Sequence, residues 1–226
     1  MSAVEPGSRT KGGRTRSLII DTALRLFKEH GFDQTTMRLI ASEAGISVGN
    51  AYYYFPSKEH LIQGFYDRAG VEHRDLARTR LAGESGLARR LVVSTHAWID
   101  AMEPYRSFAG AFFKYAAEPT SPLSPFSQES GPARVASIEF IGELIDASGM
   151  KIPKAVASEL PELLWLYTMG VVLFWVHDAS PHARGSRVLV ERTAPLLERG
   201  VELSRLPVLR ATIADLIALV NELKAL

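Results

Sequence analysis

Between Gly45 and Lys58 the chain reads GISVGNAYYYFPSK, and this stretch holds the side chains best suited to meeting a polyanion. Asn50 can donate and accept at base edges, and Val48 can meet a thymine methyl. Gly49 lets a backbone approach closely. The rings of Tyr52, Tyr53 and Tyr54 can cover sugar and base edges while their hydroxyls reach phosphates. Inside a core, three consecutive tyrosines would each need a partner for a buried hydroxyl. Lys58, with the unpaired amides of a helix starting there, offers a phosphate anchor. The chemistry is contact with a duplex rather than bond-making.

Bond-making residues are sparse elsewhere. The chain has no cysteine, which removes thiolate nucleophiles, disulfides and cysteine metal sites together. No Gly-x-Ser-x-Gly elbow or phosphate-binding glycine loop occurs. His177, Asp178 and His182 lie close in WVHDASPH, but no third strong ligand stands at a supporting spacing. They read as residues of a helix end, so we expect no metal, no cofactor and no enzyme.

The tyrosines need helices to hold them. Leu18, Ile19, Ala23, Leu24, Leu26 and Phe27 gather on one side of a helix from Thr15, closed by Gly31. Thr35-Thr36 can cap a second helix, MRLIASEA, and Gly45 stops it. Ser47 can cap a short third helix that ends before Pro56. Ser57 can cap a fourth, without a full capping box because position 60 is His. On the third helix Ala51 and Phe55 share a face; if that face turns inward, residues 48–50 and 52–54 face out. Two helices across a tight glycine turn form the layout of a helix-turn-helix.

The run TRSLIIDTALRLFKEHGFDQTTMRLIASEAGISVGNAYYYFPSKEHLIQGFYDR resembles the N-terminal domain of the TetR family of bacterial transcriptional regulators. The resemblance rests on the Gly-Phe before the double threonine, the IASEAGIS turn, the Tyr-Tyr-x-Phe ending and the Ser-Lys-Glu that follows. It implies a phosphate contact at Thr36 and a base or phosphate contact at Arg38. It also implies a recognition-helix front at Ser47, Val48, Gly49 and Asn50, DNA-facing aromatics at Tyr52 and Tyr54, and an anchor at Lys58. Position 54 is often His in that family, and Tyr54 departs from it.

The expected fold is all-α. A flexible basic arm (residues 1–13) precedes a three-helix DNA-binding domain (14–60), and a helical effector-binding and dimerisation domain follows (61–226). The basic residues Arg9, Lys11, Arg14 and Arg16, with no acid among them, suit DNA phosphates or a minor groove, and Arg14 and Arg16 are counted with the contacts. Beyond residue 70, helical segments are expected near 70–83, 86–102, 104–118, 133–148, 154–178, 184–204 and 207–225. The Pro/Ser stretch over 119–132 reads as a loop.

Aromatic and methionine side chains recur through the second region: Trp98, Met102, Tyr105, Phe108, Phe112, Phe113, Phe140, Trp165, Met169 and Phe174. Drawn from several helices, with a few polar neighbours, they fit a ligand pocket. Spacing alone leaves plain core open for each. The apolar helix LLWLYTMGVVLFWV needs partners on both sides, and a second copy of the chain can supply one. Gly170, Trp175, Leu189, Leu196, Leu197 and Val201 are the expected dimer contacts. A twofold dimer calls for a palindromic double-stranded operator.

At 46% hydrophobic and 23% charged residues the chain can build a core, and a net charge of +1 does not itself announce nucleic acid. The N-terminus has no apolar stretch of a secretory signal, and the longest apolar run falls short of the roughly 20 residues that span a bilayer. The expectation is a cytoplasmic, ligand-responsive regulator, most simply a homodimeric repressor released by a small, largely apolar effector and with no membrane partner. An activator, an effector-independent regulator, or a helical carrier or enzyme with a vestigial helix-turn-helix are the alternatives.

Overall fold

The computed structural model describes residues 10–209, and beyond them residues 212, 214, 215, 218, 219 and 222; the side chains at 107, 108, 111, 155 and 209 fall outside that description. Most of the arm expected over 1–13 and of the helix expected over 207–225 therefore lies outside the described residues. Over residues 10–209 the α-helices follow in order: α1 (Lys11–His30), α2 (Met37–Glu43), α3 (Val48–Tyr54), α4 (Lys58–Arg80), α5 (Leu87–Met102), α6 (Arg106–Ala116), α7 (Gly131–Asp146), α8 (Lys154–Ala157), α9 (Leu160–His177) and α10 (Arg184–Leu203). Among the described residues there is no strand. Two compact units result, Met1–Ala69 with Pro104–Ala133, and Gly70–Glu103 with Arg134–Leu226.

In the first unit α1 starts at Lys11, not Thr15, because the Thr10 hydroxyl accepts from the Gly13 amide at 3.0 Å and caps the helix before the two glycines. Arg14 and Arg16 consequently stand on a helix and not in an arm. The helix ends at Gly31, whose φ of 83° closes it and whose amide donates to Phe27 C=O. Ile19, Ile20, Leu24, Leu26 and Phe27 are buried with Ile40 and Ala41 of α2 and Leu61, Ile62 and Phe65 of α4. Leu18, expected on that apolar side, is exposed.

Residues 104–133, remote in sequence, complete this unit. Phe112 of α6 meets Phe27 and Phe32 edge-on, with ring centroids 5.7 and 6.0 Å away. The Tyr115 ring lies 4.7 Å from Phe32, and its hydroxyl donates to the Asp33 carboxylate. Each such aromatic pair contributes about 0.5–1.5 kcal/mol beyond its buried area. The Pro/Ser stretch that follows is a run of β-turns placed end to end. The amides of Ser121, Ser124 and Ser127 donate to the carbonyls of Glu118, Ser121 and Ser124. The serine hydroxyls at 121, 124 and 127 accept from the amides of Leu123, Phe126 and Ser130. Gln63 of α4 holds the run by donating to Pro122 C=O and, at 2.9 Å, to Ser130 Oγ, while Leu123 is buried.

In the second unit the core joins α5, α7, α9 and α10 through Leu87, Leu91, Phe140, Leu144, Leu164, Trp165, Val190 and Ala194. α5 has no side-chain cap of its own. Glu198 of α10 supplies one, its carboxylate accepting from the amides of Leu87 (2.7 Å) and Ala88 (3.3 Å). At the α9–α10 turn the Asp178 carboxylate accepts from the amides and hydroxyls of Ser180 and Ser186 over 2.6–2.9 Å. Burial alone would raise its pKa; these four bonds outweigh it and hold the group well below the usual carboxylate range.

Candidate nucleic-acid interface

The recognition surface is built by caps and by two inward residues. Thr36 Oγ1 accepts from the Leu39 amide and Ser47 Oγ from the Asn50 amide, both at 3.1 Å, so α2 and α3 start where the sequence places them. The Ile46 amide donates to Ala41 C=O and closes the turn between them. Ala51 is 0% exposed and Phe55 1%. With these buried, the helical period turns Tyr52 (50% exposed) and Tyr53 (81%) outward, with Val48, Gly49 and Asn50 beside them. A large aromatic ring left this open carries an unfavourable apolar exposure that the fold itself does not use.

Tyr54 is tied back. Its ring meets Tyr53 edge-on at 5.3 Å, and its hydroxyl lies 3.5 Å from where a Cβ on Gly12 would stand. The start of α1 is thereby next to the tyrosines, and it brings exposed Lys11 and Arg14, neither in an ion pair among the described residues. Arg38, in the first turn of α2, is exposed as well. Arg16 has another occupation. Its guanidinium lies over the Phe55 ring at 4.9 Å, and a Cβ on Gly64 would come within 3.0 Å of it.

Lys58 too is occupied. Its ammonium donates to Phe32 C=O at 2.7 Å and stands 4.4 Å above the Phe32 ring, a clasp between the start of α4 and the loop after α1. Ser57 bonds the His60 ring at 2.9 Å, so His60 takes the side-chain part that Glu or Gln plays in a capping box. Arg25 joins α1 to Glu43 of α2 at 2.8 Å, and Arg68 joins α4 to Asp21 at 2.7 Å.

The aromatic residues expected to form one pocket are divided between the two units. Tyr105, Phe112 and Phe113 belong to the first unit, with Tyr105 against Phe65 at 4.6 Å. Phe140 and Trp165 are close-packed core of the second unit, Met102 is buried and Met169 packs against that core. Trp98 stacks edge-on against Trp175 at 5.1 Å. The Phe108 side chain lies outside the described residues. Phe174 and Trp175 are exchanged relative to expectation: Trp175 is 1% exposed and Phe174 45%. Successive helix residues point about 100° apart, and a helix apolar all round gives no period from which to choose between them.

Of the expected dimer contacts, Val201 joins Trp175 in the interior, and Leu189 and Leu197 pack against the core. Leu196 and Gly170 are exposed. They stand among an outward apolar set, Leu166, Leu173 and Phe174 on α9 and Val188 and Leu203 on α10. The α9 members recur at i, i+7 and i+8, one stripe of a helix. Sequence reasoning missed the Glu198 cap, the Lys58–Phe32 clasp and the Gln63 tie. Only the serine triads, at 121, 124, 127 and 130, left a readable signal.

Residues 19–64 match the family model described as bacterial regulatory proteins, tetR family, and residues 90–219 match the tetracyclin repressor-like C-terminal domain. The HTH-type transcriptional repressor KstR2 of Rhodococcus jostii is 37% identical over 95 residues, 40% of this chain and 46% of that protein. The chain spans less than half the length of the curated relatives it matches. A TetR regulator from Nitrosomonas europaea superposes with a TM-score of 0.62 at 21% identity, over 81% of this chain and 97% of the other. FadR of Thermus thermophilus, a TetR-family repressor solved in complex with lauroyl-CoA, superposes at 0.61 and 18% identity, over 80% and 93% of the two chains. At such identity these likenesses show the fold.

Proposed function

Because this chain belongs to the TetR family of transcriptional regulators, we propose that it is a cytoplasmic homodimeric repressor of a palindromic operator, released by a small, largely apolar effector. One observation carries the DNA reading. Tyr52 and Tyr53 stand open to solvent on a capped helix whose opposite side is sealed, with exposed Asn50 and Val48 on the same helix and the exposed cations Lys11, Arg14 and Arg38 in the same unit, none of them in an ion pair among the described residues. Tyrosine rings and hydroxyls suit groove edges and phosphates, and the cations add sequence-independent affinity. The protein binds; no nucleophile and base are arranged for catalysis in this reading.

The outward stripe of α9 and α10 is the dimer face, because a helix apolar all round needs a second partner beyond its own core. The repressor names of its relatives and the acyl-CoA bound by the Thermus protein support an effector that prefers a DNA-incompetent state. α4, whose residues belong to both units, is the covalent path for that preference.

The test is a gel-shift with DNA flanking the gene for this chain, at two salt concentrations. A specific band is expected, and Tyr52→Ala weakens it about tenfold, the order of one lost groove contact. Its unfolding temperature stays within about 1 °C of wild type, as for an exposed site. A folded protein with no specific band refutes the reading.

A further inference from the structure

One seam of α1 lies along the end of the recognition helix. Gly12, Arg16 and Ile20 stand four residues apart and form a single stripe of α1. A Cβ on Gly12 would come 3.5 Å from the Tyr54 hydroxyl, the Arg16 guanidinium lies 4.9 Å from the centre of the Phe55 ring, and Ile20 is 2% exposed. The buried residues of α1 begin only at Ile19, so Tyr54 carries the seam outward to a turn that lies before the core. On its other side the Tyr54 ring meets the outward Tyr53 edge-on.

That first turn needs holding. Residues 11–14 read KGGR, and glycine is the poorest helix former after proline. Thr10 caps the turn through the Gly13 amide at 3.0 Å, which offsets only part of what two glycines cost. A tertiary contact therefore decides whether the turn stays wound or frays. Its charges give that choice a consequence. Lys11 and Arg14 are exposed and make no ion pair among the described residues. A cation on an ordered turn meets a phosphate without first giving up the freedom of a frayed end.

We propose that Tyr54 is a positioning residue, which pins the first turn of α1 against the end of α3 and so sets Lys11 and Arg14 for phosphate contact instead of reading the duplex itself. This deepens the DNA-binding reading above and rests on it. Gly12 is the seat of the hydroxyl, and an alanine there adds its Cβ at ordinary contact distance.

The slope of log affinity against log salt counts the cations engaged, about 0.9 for each phosphate neutralised. It is measured on the full-length chain with the duplex that gives the specific band. Lys11→Met together with Arg14→Met lowers it by about two in the wild type and by about one or less in Tyr54→Ala. Tyr54→Ala removes no charge, yet itself lowers the slope by about one, and adding Gly12→Ala restores most of that loss by supplying helix propensity. In hydrogen-exchange mass spectrometry residues 11–18 exchange severalfold faster in Tyr54→Ala, with α2 unchanged. Should Tyr54→Ala not fold, Tyr54→Phe makes the same comparison, because the hydroxyl is the atom that reaches Gly12. In a protein that gives its specific band, the proposal is overturned if Tyr54→Ala leaves either the salt slope or the exchange of residues 11–18 as in wild type, or if Gly12→Ala brings nothing back. Without that band, faster exchange upholds the contact and sinks the regulator reading, and unchanged exchange sinks both.

Discussion

Lys58→Met separates two roles that the sequence alone merges. Methionine keeps an unbranched stem of similar length and removes the ammonium. In the structure that ammonium donates to Phe32 C=O at 2.7 Å and lies 4.4 Å over the Phe32 ring. A hydrogen bond from a charged donor contributes about 1.5–3 kcal/mol, and a cation over a ring about 0.5–1 kcal/mol at a partly exposed site. The two share one atom and do not add fully, so the expected loss is about 2 kcal/mol. For a chain of this length each kcal/mol moves the unfolding temperature by about 2–4 °C, which gives a drop of about 4–8 °C. Differential scanning calorimetry reads it, with Arg38→Met as the control that removes one exposed cation and leaves the temperature unchanged. On DNA, Arg38→Met lowers the salt slope by about one ion, whereas a Lys58 held by Phe32 changes it by less. Wild-type thermal stability in Lys58→Met, together with a full unit off the salt slope, would falsify the clasp and restore the phosphate anchor.

Gly185→Ala places a Cβ 3.0 Å from Asp178 Oδ1 and 3.1 Å from Oδ2, so the carboxylate must shift by a few tenths of an ångström and its bonds to Ser180 and Ser186 lengthen. The cost is about 1–2 kcal/mol, the order of a lost cap, read as a lower midpoint in urea; an unchanged midpoint contradicts the geometry. His73 sets a pH dependence. Its Nε2 meets Ser94 C=O at 3.1 Å, its ring lies edge-on to Phe140, and burial lowers its pKa from 6.5 to about 4. Between those values the unfolded chain binds the extra proton, so stability falls as pH drops from about 6.5 towards 4, by about 2 kcal/mol. Above pH 6.5 this term is flat. His73→Gln, which keeps a donor for Ser94, flattens that interval in denaturation midpoints measured across pH, and an undiminished slope rejects the assignment. Leu196→Glu places a charge on the outward stripe of α10 and converts the proposed dimer to a monomer in sedimentation velocity, with far-ultraviolet dichroism unchanged. A dimer that persists moves the interface elsewhere.

The DNA-reading unit was legible because its signals are local. Thr36 and Ser47 are caps, Gly31 is a positive-φ stop, and Ala51 and Phe55 are one helical turn apart with three tyrosines between them. The ring contacts of Lys58 and Arg16 were not legible because a basic side chain looks the same in sequence whether it faces a phosphate or a phenyl ring. The attachment of α6 to α1 through Phe112 depends on contacts some 80 residues apart, for which no local spacing exists. α9 shows the opposite difficulty. Apolar on every side, it offers no contrast from which to tell Trp175 from Phe174. Spacing leaves core and pocket open for the aromatic residues for a related reason, since core and cavity linings draw on the same residue types.

The serine-proline run after α6 counts in threes. Each unit spends three residues, Ser-Pro-Leu and then Ser-Pro-Phe, and the next serine begins where the previous turn closes. Its length is consequently quantised. Adding or deleting a whole triplet returns every later hydroxyl to its bonding phase, whereas a one-residue indel shifts Ser130 away from the Gln63 amide that tethers it. Variation in this segment is therefore constrained in step size, and in composition at buried Leu123, whereas exposed Phe126 leaves its place open.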